Sequence, residues 1–178
     1  APIVAPYPPN KQSLMDRLEG PSAEHWLGTD ETGRDELSRL IYGARISLFI
    51  GVIGTIGGVV LGTIIGLLSG FFGGWFDQIA MRIVDIMYAF PGILLAIFIV
   101  AVVGPSLLNI IIALTVWGTP TLSRIVRASV LSLRERDFVD AARAIGATRS
   151  RIMFRHLLPN TAAPIIVYST LGVAGSLL

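Results

Sequence analysis

Residues 46–76 read ISLFIGVIGTIGGVVLGTIIGLLSGFFGGWF, 31 positions without one acidic or basic side chain. A helix needs about 20 apolar residues to cross a bilayer, so this run predicts one span, placed at 46–70, and a tight turn over Phe71–Gln78 with two glycines between aromatic anchors. Gly54, Gly58, Gly62, Gly66 and Gly70 fall every fourth residue. One helix face is then nearly bare backbone, against which another helix can pack at close range. Whole-chain composition agrees, at 53% hydrophobic and 15% charged, against a charged share of about 25% in soluble domains.

Downstream, Ile86–Ser123 is a second run of 38 uncharged residues, too long for one span. Gly104-Pro105 divides it, which predicts spans at 79–103 and 106–124. Pro91, within Phe90-Pro91-Gly92, removes a backbone hydrogen bond and should kink the first of them. Arg82 and Asp85, three residues apart, can pair on one helix near the membrane edge. The second helix is expected to run past Arg124 out of the bilayer. A last apolar run predicts a fourth span at 161–178.

Upstream, residues 1–45 form a polar segment with five basic and seven acidic residues. Four prolines in APIVAPYPPN (1–10) favour an extended, polyproline-like strap. His25 has no second ligand at metal spacing and reads as structural. Trp26 can anchor at headgroup level. Thr32 with Asp35 fits a capping box, and Leu37, Leu40, Ile41 and Ala44 line one face of a short helix expected to lie along the interface.

Between the last two apolar runs lies RERDFVDAARAIGATRSRIMFRHLLPN (134–160). Over 124–160 there are eight basic and three acidic residues, so this stretch cannot lie in hydrocarbon. Phe138, Ala141, Ala142 and Ile145 recur at helical spacing, Gly146 stands where a left-handed C-terminal cap is expected, and Thr148 or Ser150 can begin a second helix that Pro159 ends. A solvated loop obeying the positive-inside tendency explains the arginines. It does not call for paired alanines and a glycine, which suit a close contact with a partner.

The succession Asp140-Ala141-Ala142, Gly146 and His156-Leu157-Leu158-Pro159 resembles the EAA loop of permease subunits in bacterial binding-protein-dependent ABC importers. Asp140 stands for the usual glutamate and His156 for a branched aliphatic residue. GTDETGRDELSRLIYGARISL (28–48) is similar to the segment entering the second membrane helix in the dipeptide, oligopeptide and nickel branch. The resemblance implies an all-α membrane protein, a transmembrane helix bundle of the type I ABC importer permease kind. Since Ala1 follows no leader-like segment and 157–178 stops within an apolar run, the expectation is a fragment lacking the first and last helices.

The resemblance also implies roles. Asp140, Ala141, Ala142, Gly146, Leu158 and Pro159 would form the socket for a separate P-loop ATPase within a docking loop at 127–160. Further partners would be a second, similar permease and an extracytoplasmic binding protein. Positive-inside counting, nine basic residues against five, places the docking loop in the cytoplasm and residues 1–45 outside a bacterial inner membrane crossed several times. Uncharged polar groups at Asn109, Thr115, Thr119 and Ser123 are candidates for lining the pore or for joining helices.

Other chemistry is missing from the sequence. The single lysine, Lys11, follows no glycine loop, so no P-loop is present, and no HExxH, GxSxG or cysteine cluster occurs. Catalysis, a cofactor, a metal site and a nucleic-acid partner are not expected. The long apolar runs hold no ionisable group, unlike those of ion-coupled carriers. Peptide is the expected cargo. The alternatives are a nickel permease of the same branch, a non-transporting scaffold with a basic loop, and a secondary carrier.

Overall fold

The computed structural model describes residues 1–177. Leu178, the last residue of the expected span 161–178, lies outside the described residues. The described residues form an all-α chain. Its helices are α1 (Glu36–Phe72), α2 (Gly74–Ala89), α3 (Gly92–Val103), α4 (Leu107–Leu133), α5 (Asp137–Ala144), α6 (Arg149–Asn160) and α7 (Ala162–Leu177). Among the described residues the only β pairing is an isolated bridge between Thr29 and Asp35. Two helices, α1 and α4, are each long and apolar enough to cross a membrane, and α6 with α7 would make a third crossing bent by 58°.

The chain divides into two compact units, Ala1–Phe49 and Ile50–Leu178. In the first, polar side chains do the organising. Asp30 Oδ1 accepts from the Thr32 and Arg34 amides and the Thr32 hydroxyl, while its Oδ2 accepts from Arg34 Nε at 2.7 Å and Arg39 Nη1 at 2.5 Å. Asp35, nearly buried, caps α1 by accepting from the Ser38 amide at 2.8 Å, and its other oxygen meets His25 Nδ1 at 2.9 Å. The helix therefore starts one turn later than the Thr32–Asp35 capping box implied, because Thr32 is held in the Asp30 turn. Gly33 sits at φ +70°, where a Cβ would fall 1.7 Å from the Ser13 carbonyl oxygen, so this turn requires glycine.

Two further expectations for this segment are corrected. Residues 1–5 close a turn, with the Val4 and Ala5 amides donating to the Ala1 carbonyl, and do not form an extended strap. The short interfacial helix is not a separate element. Glu36–Phe72 is one helix of 37 residues, about 55 Å long at 1.5 Å per residue. No proline or turn sequence interrupts it, and an isolated glycine such as Gly43 does not break a helix. Leu40 and Ala44 are exposed, and burial near the helix start belongs to Asp35 and Ser38.

In the second unit the glycines of α1 face α4. A Cβ at Gly54 would meet Leu114, one at Gly62 would lie 2.9 Å from Leu122 Cβ, one at Gly66 2.5 Å from the Ser123 carbonyl oxygen, and one at Gly70 2.8 Å from Val130. Gly58 meets the backbone of Gly118 itself. Both numberings rise together in steps of four, so α1 and α4 run parallel with their backbones in contact. A buried cluster of Leu67, Leu122, Val126, Val130, Val139, Ala142, Ile152, Met153 and Leu157 continues from this seam into α5 and α6.

The expected span 79–103 is broken, not kinked. α2 ends at Ala89, Phe90 and Pro91 are extended, and α3 begins at Gly92. Pro91 lacks an amide hydrogen, and its ring pushes Phe90 out of the helical region. At the second division Gly104 adopts φ +98° and Ser106 caps α4 by accepting from the Asn109 amide at 3.1 Å. Arg82 and Asp85 do not pair. Asp85 instead accepts from Arg124 of α4 at 2.6 Å, since the side chains project toward the neighbouring helix.

Two outcomes are expected. Gly66→Leu, which forces a side chain into the α1–α4 seam, destabilises the protein by about 1–3 kcal/mol, whereas Gly43→Ala, with open space around it, gives no loss; thermal unfolding in detergent measures both. Partial burial pushes the Asp30 carboxyl up, but the hydrogen bonds from Arg34 and Thr32 outweigh it and hold the group well below the usual carboxylate range. Its contribution is therefore complete above about pH 4 and is lost as pH falls further toward its depressed folded value. Hydrogen exchange should find the Thr32 and Arg34 amides protected at about pH 5 and progressively less so below about pH 4. Asp30→Asn should remove that acid dependence.

Candidate docking surface

α4 leaves the seam and ends at Leu133, and a turn at Arg134–Arg136 starts α5. Asp137 and Asp140 lie in the first turn of α5, where the exposed amides favour negative charge, and Arg143 lies in the last. Val139 and Ala142 point into the core. Asp140, Ala141, Arg143, Ala144 and Ile145 point out, with Ile145 86% exposed. The inward face is thus Val139/Ala142, not the set Phe138, Ala141, Ala142 and Ile145 marked by spacing, because only the first pair lies over Val126 and Val130.

The stop after α5 is built from backbone. Gly146, at φ +78°, donates to the Arg143 carbonyl at 2.9 Å, and Ala147 donates to the Ala142 carbonyl at 3.0 Å. This is a Schellman closure, with Ala147 packed against the buried cluster that includes Ala142. A Cβ at Gly146 would meet open space, so the position is selected by its left-handed conformation.

Thr148 then caps α6, accepting from the Arg151 amide at 3.3 Å. Over Ile152–Leu157 the helix widens to a π-helix, and the Leu158 amide reaches back to the Met153 carbonyl. Pro159 explains the widening: it has no amide hydrogen for the Arg155 carbonyl and its ring crowds that group. The run continues through Pro159 to Asn160, so the proline does not end the helix where it stands. The chain turns at Thr161, which is buried and donates its hydroxyl to the Leu158 carbonyl at 2.8 Å.

What results is a helix, a closed turn and a second helix sharing one inward face. Ile152, Met153 and Leu157 are buried with Val139 and Ala142, while Arg149, Arg151, Phe154 and Arg155 face out. Asp140 and Arg143 pair at 2.8 Å on the exposed side. Among the described residues Arg149, Arg151 and Arg155 form no ion pair. A cleft of about 400 Å³ opens between Phe71 and Phe72 at the end of α1 and Arg143, Ala147, Arg149 and Ile152. Of the six residues expected in the socket, Asp140, Ala141, Gly146 and Pro159 are exposed. Leu158 is half-buried against the core, and Ala142 supports the surface from beneath.

Asn109 donates to the carbonyls of Val103, at 3.3 Å, and Gly104, at 2.7 Å, tying off the turn between α3 and α4. Thr115 donates to the Gly54 carbonyl of α1 at 3.3 Å. Thr119 and Ser123 are buried and donate to the carbonyls of Thr115 and Thr119 in their own helix, at 2.7 and 2.8 Å. A separate cleft of about 410 Å³ lies among α1, α2, α4 and α7, bordered by Thr55, Tyr88, Trp117, Thr121 and Tyr168, and none of the four residues lines it. Sequence reading missed the pairing of Arg127 with Asp77 through two 2.5 Å bonds and that of Arg134 with the Gly70 carbonyl at 3.0 Å. Lone charges at helix ends were the available signal, though they name no partner.

Residues 58–178 match the model of the family described as "Binding-protein-dependent transport system inner membrane component". The chain is 49% identical over all its 178 residues to the "Dipeptide transport system permease protein DppC" of Alkalihalophilus pseudofirmus, covering 59% of that protein. It is 44% identical over 176 residues to the "Glutathione transport system permease protein GsiD" of Escherichia coli, and 47% identical over 176 residues to that of Shigella flexneri. Each alignment takes in 98% of this chain and 58% of the relative.

The two adjacent alanines should behave oppositely. Ala142→Asp buries an unpaired charge and destabilises the protein on the order of 3 kcal/mol, while Ala141→Asp, on the exposed face, changes stability by about 0.5 kcal/mol or less. Thermal unfolding of the purified variants measures the difference.

Proposed function

Because this chain belongs to the binding-protein-dependent transport system inner membrane component family, we propose that it serves as a multi-pass permease subunit of an ATP-driven importer in the bacterial inner membrane. The observation that carries the proposal is the self-supporting α5–turn–α6 unit. Its inward residues are spent on the chain's own core, and its outward face combines Ala141, Ile145 and Gly146 with unpaired arginines.

In this reading Asp140, Ala141, Gly146, Leu158 and Pro159, over the buried Ala142, receive a separate P-loop ATPase on the cytoplasmic side. Small residues allow close approach, and the arginines attract acidic groups on the partner. Closure of the ATPase pair displaces the socket, and the shared core passes that displacement to α4 and across the Thr161 bend to α7. A second, similar permease completes the pathway, and an extracytoplasmic binding protein delivers the cargo. Residues 1–45 lie outside the cytoplasm. Peptide cargo is favoured over nickel by the relatives' names, dipeptide in one case and the peptide glutathione in the others.

Thr115, Thr119 and Ser123 serve the α1–α4 seam in this scheme, their hydroxyls already satisfied by backbone carbonyls. The uncharged aromatic and hydroxyl groups of the cleft among α1, α2, α4 and α7 become the better candidates for the pathway.

The test is purification of the full-length protein from its own membranes in mild detergent, with identification of its companions. P-loop ATPases and a second permease should accompany it. Gly146→Asp, for which there is open space and whose left-handed backbone costs about 1–2 kcal/mol, should reduce substrate uptake about tenfold or more, while Arg143→Gln should change it about twofold at most. Recovery of lipid alone, under conditions that preserve other complexes, would favour the scaffold reading.

A further inference from the structure

The charged groups that join α2 to α4 point to a device absent from the docking surface itself. Arg127 is a half-exposed residue on α4, and its Nε and Nη2 donate to the two carboxylate oxygens of the more buried Asp77 on α2, both at 2.5 Å. Such a two-point contact fixes orientation as well as distance, which a single ammonium contact would not. Three residues earlier, Arg124 donates to Asp85 at 2.6 Å, and its guanidinium lies 4.5 Å from the ring centre of Tyr88. Seven residues after Arg127, Arg134 donates to the carbonyl of Gly70 near the end of α1. The C-terminal part of α4 is therefore held to α1 and α2 by directional bonds.

This stretch of α4 also shares a buried cluster with α5 and α6, to which it contributes Val126 and Val130. At the other end α2 stops at the Phe90–Pro91 break, where helical hydrogen bonding is interrupted. Just beyond it Gly92 lies against the Trp117 indole of α4, so close that a Cβ would fall 1.8 Å from its nitrogen. Anything that shifts the α5–α6 surface must shift the end of α4, and the Arg127–Asp77 contact hands that shift to a helix already jointed at its far end.

We propose that Asp77 and Arg127 are positioning residues that make α2 move as one body with the docking surface, with Phe90–Gly92 as its joint, and that Asp85 and Arg124 assist. The inference rests on the importer reading above. The pair touches neither cargo nor ATPase. It sets how much of the displacement at the docking surface reaches the membrane helices.

The experiment uses the full-length importer with its partners in proteoliposomes, with assembly, ATP hydrolysis and substrate uptake measured on the same preparation. Asp77→Asn should assemble with its ATPase and hydrolyse ATP within about twofold of the unsubstituted protein, while uptake per ATP falls about fivefold or more. Arg127→Lys, which keeps the charge and loses the fork, should lie between the two. Exchanging the charges in Asp77→Arg with Arg127→Asp should recover at least about half of the lost ratio.

An unchanged ratio of uptake to hydrolysis in Asp77→Asn would overturn the proposal and leave the pair a packing contact. So would failure of both Asp77→Asn and Arg127→Lys to assemble. Failure of the underlying reading looks different, because then the unsubstituted protein itself brings down no ATPase.

Discussion

Two helices can approach until their backbones touch only where neither puts a side chain between them, and α1 meets that requirement at every fourth residue from Gly54 to Gly70. α4 lies against this face in parallel, Gly54 beside Leu114 and Gly70 beside Val130. Much else follows from that contact. It aligns α4 so that Val126 and Val130 emerge at one end of the seam as a floor for α5 and α6. Parallel neighbours also need a return path between them, which α2 and α3 supply.

The hydroxyls of α4 follow the same economy, whereas those of Thr63 and Ser69 on α1 are buried without a partner among the described residues. In a setting without water an unmet hydroxyl or carbonyl is costly, so Thr119 and Ser123 turn back onto their own helix, and Thr115 reaches the carbonyl of Gly54, which no side chain shields. Two pairs of charges join α2 to α4 beside the apolar segments: Arg127 with Asp77 and Arg124 with Asp85. The docking surface shows the opposite distribution. Val139, Ala142, Ile152, Met153 and Leu157 are buried in the chain's own core, while the arginines, Phe138, Ile145 and Phe154 remain exposed.

Prolines act differently according to their surroundings. Pro91 stands in the extended break between α2 and α3, whereas Pro159 is accommodated by a π-helix just upstream. Pro120 sits buried inside α4 without ending it. A sequence marks each as a disturbance. Whether it becomes a break, a widening or nothing depends on what else holds the flanking residues.

By itself the sequence determined that the chain is helical and membrane-embedded, that the helices divide at Gly104-Pro105, that Gly146 stops a helix, and that 134–160 is a basic stretch outside the apolar runs. These are local properties of hydropathy, of conformations open to glycine alone, and of spacing, all carried within a few turns of chain. Tertiary structure alone decided that Ala142 faces inward and Ala141 outward, that Asp85 chooses Arg124 over Arg82, that Asp77 takes Arg127, and that Thr119 and Ser123 lie in a seam. The physical reason is common to all four. Spacing gives the angle of a side chain about its own helix, but only the packed neighbours determine which side of that helix is covered and which charge lies within reach.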